Sequence, residues 1–161
     1  MRGLALGGFM GTGKSTVGRL VAARVGVPFV DVDAVLVERH GPIADQFATV
    51  GEPGFRERER AILVELCDGI TRVIATGGGA WVQVGMPSRL AQHYERAVLH
   101  ADLATLQRRI PEQGERPLWG RASRLWAERQ EAYAVADAAF RTDDVRAEVV
   151  ADRVEAWWCS R

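Results

Sequence analysis

Lysine is nearly absent from this chain. Lysine and arginine together number 21, and Lys14 is the single lysine among them. Cysteine is also scarce: Cys67 and Cys159 are too few and too far apart for a disulfide framework or a metal cluster. No apolar run is long enough to span a membrane. These absences argue against a disulfide-rich secreted domain or a membrane protein, and they favour a reduced, cytoplasmic setting.

An excess of charge of one sign is missing as well. The 21 basic residues are balanced by 21 acidic ones, so no overall field attracts nucleic acid or an anionic membrane. With 161 residues, 47% of them hydrophobic and 26% charged, the chain has the size and composition of one soluble domain. We expect a single domain over residues 1–161 that acts on a small molecule, as a monomer, without a nucleic-acid or membrane partner.

The single lysine lies in a glycine-rich segment. Residues 8–15 read Gly-Phe-Met-Gly-Thr-Gly-Lys-Ser, and they match the phosphate-binding pattern G-x-x-x-x-G-K-[ST] at every fixed position. In this pattern backbone N–H groups surround the phosphates, the lysine reaches the β- and γ-phosphates, and the following hydroxyl ligates Mg²⁺. An apolar run before the segment and a helical apolar stripe after it provide the strand–loop–helix context. The segment predicts nucleotide-dependent phosphoryl transfer.

Strand-like apolar runs alternate with helical patterns along the chain. The runs predict strands over residues 3–7, 28–32, 72–75, 97–100 and 139–141. Helices are predicted from about residue 14 and near residues 33–39, 43–50, 53–68, 87–94, 103–109, 122–136 and 145–158. Such alternation favours parallel pairing through right-handed crossovers, and therefore a doubly wound α/β sheet.

Two carboxylates stand at the end of the second predicted strand. Asp31 and Asp33 are two positions apart, so on a strand they project to the same face. Ligands of open α/β sheets bind at the carboxyl ends of the strands. One carboxylate is then expected to support Mg²⁺ through water, and the other to meet a substrate hydroxyl. The alternative is a solvated strand end at which Asp33 caps the next helix.

A charged helix and a glycine triplet follow. The alternating charges of residues 52–60 usually indicate a solvated, salt-bridged face, but Phe55 and Arg56 are also suited to bind a small carboxylate, with Glu59 orienting Arg56. The triplet of residues 77–79 directly follows the third predicted strand. Three adjacent glycines are entropically costly, which favours a close approach of backbone to a ligand over a plain turn.

An arginine-rich segment broken by proline and glycine covers residues 111–121. It is either a surface loop or a movable lid over the phosphoryl donor, and we favour the lid. Arg116 in this segment is placed to stabilise the charge on the transferring phosphoryl group. Arg129 lies four residues before Tyr133 on the next predicted helix.

Together these segments resemble the shikimate kinase family. The motifs occur in the family's order and at nearly its spacing: GFMGTGKST at 8–16, DVD at 31–33, GEPGFRERE at 51–59, GGG at 77–79, RPL at 116–118 and RQEAY at 129–133. The resemblance implies ATP-dependent phosphorylation of the 3-hydroxyl of shikimate, on the chorismate branch of aromatic amino acid biosynthesis. It also implies a three-layer α/β/α fold like that of nucleoside monophosphate kinases, with a five-stranded parallel sheet, a substrate-binding region near 32–60 and a mobile lid near 110–122.

The resemblance also assigns roles to matching positions. It implies that the phosphates of ATP are held by Gly11, Thr12, Gly13, Lys14, Ser15 and Thr16. It further implies that Arg109 lies against the adenine and Arg116 on the phosphates. It implies that shikimate is held by Asp33, Arg56, Gly78, Gly79 and Arg129, with the two arginines on its carboxylate and with Phe47, Phe55 and Glu59 shaping the pocket. Ser15 and Asp31 are the implied Mg²⁺ residues, and Lys14, Asp33 and Arg116 the implied catalytic ones.

Two other functions are compatible with parts of this pattern. One is a kinase for another small metabolite, such as gluconate or a nucleoside monophosphate. The other is a non-catalytic nucleotide-binding relative that acts as a sensor. The arginine pair and the glycine triplet favour a compact carboxylate-bearing polyol, and a regulator has no need of the whole set of phosphate-loop, acidic and lid residues.

Overall fold

Five short strands form one parallel sheet. The computed structural model describes residues 1–110 and 122–161, and its strands are β1 (Gly3–Gly7), β2 (Phe29–Asp31), β3 (Val73–Ala75), β4 (Tyr94–His100) and β5 (Ala138–Arg141). They pair in the order β2-β3-β1-β4-β5, and every neighbouring pair is parallel. The prediction of a five-stranded parallel sheet is confirmed.

Seven helices in the described ranges connect and flank these strands. They are α1 (Lys14–Val25), α2 (Val32–His40), α3 (Ile43–Glu65), α4 (Met86–His93), α5 (Leu103–Arg109), α6 (Ala122–Tyr133) and α7 (Ala147–Cys159). A short 3-10 helix, Ala80–Val82, follows the glycine triplet. Within the described ranges, no helix combines the length and the apolar character that a membrane crossing requires.

The buried side chains form one cluster on each face of the sheet. On one face, Val17 and Val21 of α1 pack with Val150, Val154 and others of α7. The second cluster joins the other face to α2, α3, α4 and α6, and includes Leu36, Ile62, Leu90 and Leu125. Because both faces are covered, the central strands β1 and β3 are buried along their whole length, and the architecture has three layers.

The predicted and observed boundaries differ in informative places. The two helices predicted at 43–50 and 53–68 are confirmed as the two parts of α3, which meet at a kink where Gly51 has a non-helical backbone (φ 66°, ψ −180°). It ends at Glu65 rather than at residue 68. Strand β4 begins at Tyr94, three residues before the predicted start, because α4 ends at His93. The 3-10 helix was not predicted, since three residues carry no detectable periodicity.

Three of the connections meet at the carboxyl edge of the sheet. The phosphate loop follows β1, the Asp31–Asp33 segment follows β2, and the glycine triplet follows β3. Strand β1 lies between β3 and β4, so chain connections run to opposite sides of it. In sheets of this type the ligand crevice opens where successive connections lead to opposite sides of a strand.

Candidate active site

The phosphate loop is shaped by glycines with left-handed backbone. Gly8, Gly11 and Gly13 have φ values of 134°, 82° and 91°, which side chains disfavour. Gly13 is also the residue before α1, and no side chain caps that helix. The first N–H groups of α1 are therefore available to an anion at the positive end of the helix dipole.

The remaining loop residues surround this helix start. The Nζ atom of Lys14 donates to the carbonyl oxygens of Gly8 (2.9 Å) and Phe9 (3.0 Å). The hydroxyl of Thr12, which is buried, donates to the same Phe9 carbonyl at 2.8 Å. These bonds hold the ammonium against the loop. Ser15 is half-buried and Thr16 exposed in the first turn of α1.

Asp31 and Asp33 belong to different elements. Asp31 is the last residue of β2 and Asp33 the second residue of α2, so the prediction that they share a strand face is wrong. Asp31 Oδ1 accepts hydrogen bonds from the N–H groups of Asp33 (3.1 Å) and Ala34 (3.4 Å). Asp31, and not Asp33, therefore caps α2. Asp33 Oδ1 lies 3.3 Å from where a Cβ on Gly77 would stand, so this carboxylate faces the glycine triplet.

Each glycine of the triplet is crowded by a different functional side chain. A Cβ on Gly77 would overlap with Glu59 Oε1, and one on Gly79 would overlap with the Arg56 guanidinium. A Cβ on Gly78 would stand 3.0 Å from Arg129 Nη1. The triplet thus brings Arg56, Arg129 and the carboxylates of Asp33 and Glu59 around one stretch of backbone.

Arg56 is held by acidic and aromatic neighbours on α3. Its Nη1 donates to Glu59 Oε2 at 2.9 Å and its Nη2 to Glu52 Oε1 at 3.4 Å. Its Cζ lies 5.2 Å from the centroid of the Phe55 ring, which stacks on Phe47 with 4.6 Å between centroids. Glu59 is completely buried, and burial raises its pKa although Arg56 acts in the opposite direction. The prediction that Glu59 orients Arg56 is confirmed.

Arg129 connects the pocket to the phosphate loop. It is 4% exposed, and its Cζ lies 5.5 Å from the centroid of the Phe9 ring in that loop. Tyr133, one turn further along α6, donates from its hydroxyl to the Gly78 carbonyl at 2.8 Å. Burial raises the pKa of Tyr133 to about 12. Both side chains of α6 therefore point at the triplet.

Arg109 lies on the other side of the phosphate loop. It is at the end of α5 and donates from Nη1 to the Gly11 carbonyl (3.4 Å) and to the Thr142 hydroxyl (3.0 Å). A third hydrogen bond joins its Nη2 to the Thr142 carbonyl. The guanidinium thus joins the loop to the residue after β5. Arg116 and the lid predicted near 110–122 lie outside the described residues, except for the ends of that range.

The donor set for Mg²⁺ is small. Among the described residues no cluster of three or more His, Cys, Asp or Glu could hold a metal ion. Ser15 and Asp31 are the two predicted ligands, and both hydrogen bonds of Asp31 to the start of α2 use its Oδ1. One or two protein oxygens suit Mg²⁺ that is held largely by nucleotide phosphates and waters.

Two residues at the site were missed by the sequence patterns. Gln83 Nε2 donates to Glu59 Oε2 at 2.6 Å, and Trp81 Nε1 donates to the Thr76 hydroxyl at 2.9 Å. Trp81 also fills the space beside Gly7, where a Cβ would overlap its indole ring. No motif includes either residue, because the contacts join segments distant in sequence or depend on the 3-10 helix.

Comparisons with known proteins show what the chain is similar to over most of its length. The shikimate kinase family model matches residues 10–157. A shikimate kinase from Nitrobacter winogradskyi is 40% identical over 158 residues, covering 94% of this chain and 74% of the relative. One from Thermosynechococcus vestitus is 41% identical over 155 residues, covering 91% and 84%. The solved structure of shikimate kinase from Acinetobacter baumannii in complex with shikimate has a TM-score of 0.94 at 31% identity, covering 99% of this chain and 94% of that one.

The similarity therefore extends over sequence and fold alike, from the phosphate loop to α7. The chain belongs to the shikimate kinase family, a family of ATP-using phosphotransferases.

Proposed function

We propose that this chain transfers the γ-phosphoryl group of ATP to the 3-hydroxyl of shikimate, giving shikimate 3-phosphate and ADP. The observation that carries the proposal is the glycine triplet, around which two arginines and two carboxylates meet beside the phosphate loop. The solved relative from Acinetobacter baumannii, in complex with shikimate, supports the same substrate class. The whole of residues 1–161 serves as one kinase domain.

On the nucleotide side, Gly11 to Thr16 hold the phosphates of ATP, and Arg109 lies against the adenine. Ser15 and, through water, Asp31 hold Mg²⁺, which when bound neutralises charge on the β- and γ-phosphates. Lys14 contributes a compact positive charge that its loop carbonyls already position. Arg116 and the lid that contains it, residues 110–122, complete the charge stabilisation and exclude water.

On the acceptor side, Arg56 and Arg129 bind the carboxylate of shikimate. Both guanidiniums border the triplet, at Gly79 and Gly78 respectively, so the backbone of these two glycines contacts the same ligand. Planar guanidinium forks bind carboxylates with defined direction. Two of them fix the orientation of the ring, and the attacking hydroxyl is thereby placed in line with the γ-phosphate.

Asp33 is the residue that meets the reacting hydroxyl. Its carboxylate orients the 3-hydroxyl and accepts its proton as the oxygen–phosphorus bond forms. It is exposed at the start of α2 and faces the triplet, as this role requires. We further propose that the protein works as a monomer in the cytoplasm.

The acceptor is tested by an ATP-to-ADP coupled assay with shikimate, gluconate and AMP. We expect turnover with shikimate as the acceptor, and none with gluconate or AMP. Turnover with gluconate or AMP instead would identify a different small-metabolite kinase. Measurable ATP binding with no turnover on any acceptor would identify a nucleotide-binding regulator, and either result would overturn the proposal.

The role of Asp33 is tested by Asp33→Asn, which keeps the shape but removes the proton acceptor. We expect kcat to fall by roughly 10²- to 10⁴-fold, the usual contribution of general base catalysis. The dissociation constant for ATP, measured by calorimetry, should stay within about twofold because Asp33 does not belong to the phosphate loop. A kcat close to that of the wild type would remove Asp33 from the catalytic role.

A further inference from the structure

Gln83 contacts the site from a segment to which no motif assigns a role. It follows the 3-10 helix Ala80–Val82, and its N–H donates to the Ala80 carbonyl at 3.3 Å. This turn directs the half-buried side chain towards α3, where Nε2 donates to Glu59 Oε2 at 2.6 Å. The bond joins residues 24 positions apart in sequence.

Glu59 depends on this bond because it is completely buried. Its Oε2 accepts from two donors, Gln83 and Arg56. Its Oε1 is buried too and has no hydrogen-bond partner among the described residues. A buried carboxylate is costly unless its charge is paired and hydrogen-bonded. The Gln83 amide is therefore one of the two groups that hydrogen-bond this carboxylate and fix its orientation.

Arg56 depends in turn on Glu59. Its second acidic contact, with Glu52, is longer at 3.4 Å, and the Glu52 side chain is 41% exposed. Exposed ion pairs contribute little. The buried Glu59 contact at 2.9 Å is thus the one that fixes the plane of the guanidinium.

We propose that Gln83 is a positioning residue for the substrate carboxylate: it holds Glu59 in the orientation that fixes the Arg56 guanidinium. The proposal rests on the proposed function, in which Arg56 binds the carboxylate of shikimate. Without the amide donor, Glu59 must rotate towards another donor or take up a proton. In either case Arg56 loses its fixed orientation. Its guanidinium is then no longer held in the carboxylate-binding orientation before shikimate binds.

The test compares Gln83→Met with the wild type. Methionine keeps the length of the side chain and removes the donor. We expect the KM for shikimate to rise on the order of tenfold, since hydrogen bonds to buried charged groups are the stronger ones. The KM for ATP should change by less than about twofold, because Gln83 lies outside the phosphate loop and donates to Glu59 on α3. Gln92→Met is the matched control: Gln92 is exposed on α4, and its substitution should change neither constant.

A pH profile separates positioning from general loss of structure. The titratable groups that face Glu59 are Arg56 on α3, Asp33 on α2 and Tyr133 on α6. Burial raises the pKa of Glu59, and the Gln83 bond lowers it. Removal of that bond raises the pKa further, so the acid limb of kcat/KM for shikimate should move to higher pH in Gln83→Met. A merely structural defect lowers the midpoint of thermal unfolding without moving this limb.

The outcomes are distinguishable. An unchanged KM for shikimate together with an unmoved acid limb in folded Gln83→Met would overturn the role of Gln83 alone. A wild type that fails to phosphorylate shikimate would overturn the proposed function instead. If Gln83→Met does not fold, Gln83→Ala gives the same reading, because it also removes the donor to Glu59 and should raise the KM for shikimate, and an unchanged KM in that variant would contradict the proposal.

Discussion

Crowding, and not backbone conformation, is what requires glycine at residues 77–79. The glycines of the chain with φ in the left-handed region lie elsewhere, for example Gly13 and Gly26, and Gly79 has φ −92°. A side chain at Gly79 is therefore permitted by the backbone but blocked by the Arg56 guanidinium. The same argument applies to Gly77 with Glu59. Substitution should accordingly change ligand binding more than folding.

We expect Gly79→Ala to raise the KM for shikimate at least about tenfold, because the added methyl displaces Arg56 from a site where small shifts are costly. The midpoint of thermal unfolding should change little, since φ is ordinary. Steady-state kinetics and a melting curve measure both effects.

Gly26→Ala is the matched control with the opposite pattern. Gly26 ends α1 with φ 76° and has open space around it. Alanine there should cost about 1 kcal/mol of folding stability and leave the KM for shikimate unchanged. An unaltered KM for shikimate in Gly79→Ala would show that the site tolerates a side chain at position 79.

Among the helices, α7 carries the pair Trp157-Trp158, whose roles the helical pattern alone left undecided. Trp158 is fully buried with α1 on one face of the sheet, and its Nε1 donates to the Arg2 carbonyl at 3.1 Å. Trp157 is half-buried and packs edge-on against Phe140 at 5.9 Å between centroids. Trp158 therefore anchors α7 to the amino end of the sheet.

We expect Trp158→Ala to lower the free energy of unfolding by roughly 3–5 kcal/mol, the usual cost of removing a buried large aromatic residue. Trp157→Ala, its neighbour on the same helix, should cost clearly less because part of its ring already faces water. Urea denaturation of both variants measures the difference. Equal losses would contradict the assignment of Trp158 as the anchor.

At the scale of the whole molecule, both tyrosines of the chain report on the integrity of the fold. The hydroxyl of Tyr94 donates to the Leu66 carbonyl at 2.5 Å, and that of Tyr133 to Gly78. Burial raises the pKa of each to about 12. A phenol whose pKa is raised by folding stabilises the native state fully below its unfolded pKa, near 10. That contribution is lost as the pH rises towards about 12.

The expected result is a native protein whose tyrosinate absorbance does not rise near pH 10. In concentrated urea both tyrosines should titrate near pH 10, which provides the control. Absorbance at the tyrosinate band across a pH series measures both. A native titration near pH 10 for either phenol would mean that its ring is not buried as described.

Much of the fold was predictable because its signals are local. The phosphate loop is a contiguous segment with fixed glycines, so its sequence predicted its position after β1 and before α1. Apolar runs and helical periodicity predicted five strands in a parallel sheet. Errors fell where elements are short: β2 ends at Asp31, one residue before its predicted end, and α2 begins at Val32. Strand alternation, on which the predicted shared face of Asp31 and Asp33 depended, therefore does not apply to Asp33.

The sequence by itself determined the family, the parallel sheet, the phosphate loop and the candidate ligand residues, because each depends on neighbouring positions or on periodicity. Only the tertiary structure decided which glycine faces which side chain, that Gln83 supports Glu59, and which tryptophan is buried. Most of these contacts join segments that are separated by tens of residues. They are fixed by side-chain packing between elements, which a local sequence pattern does not contain.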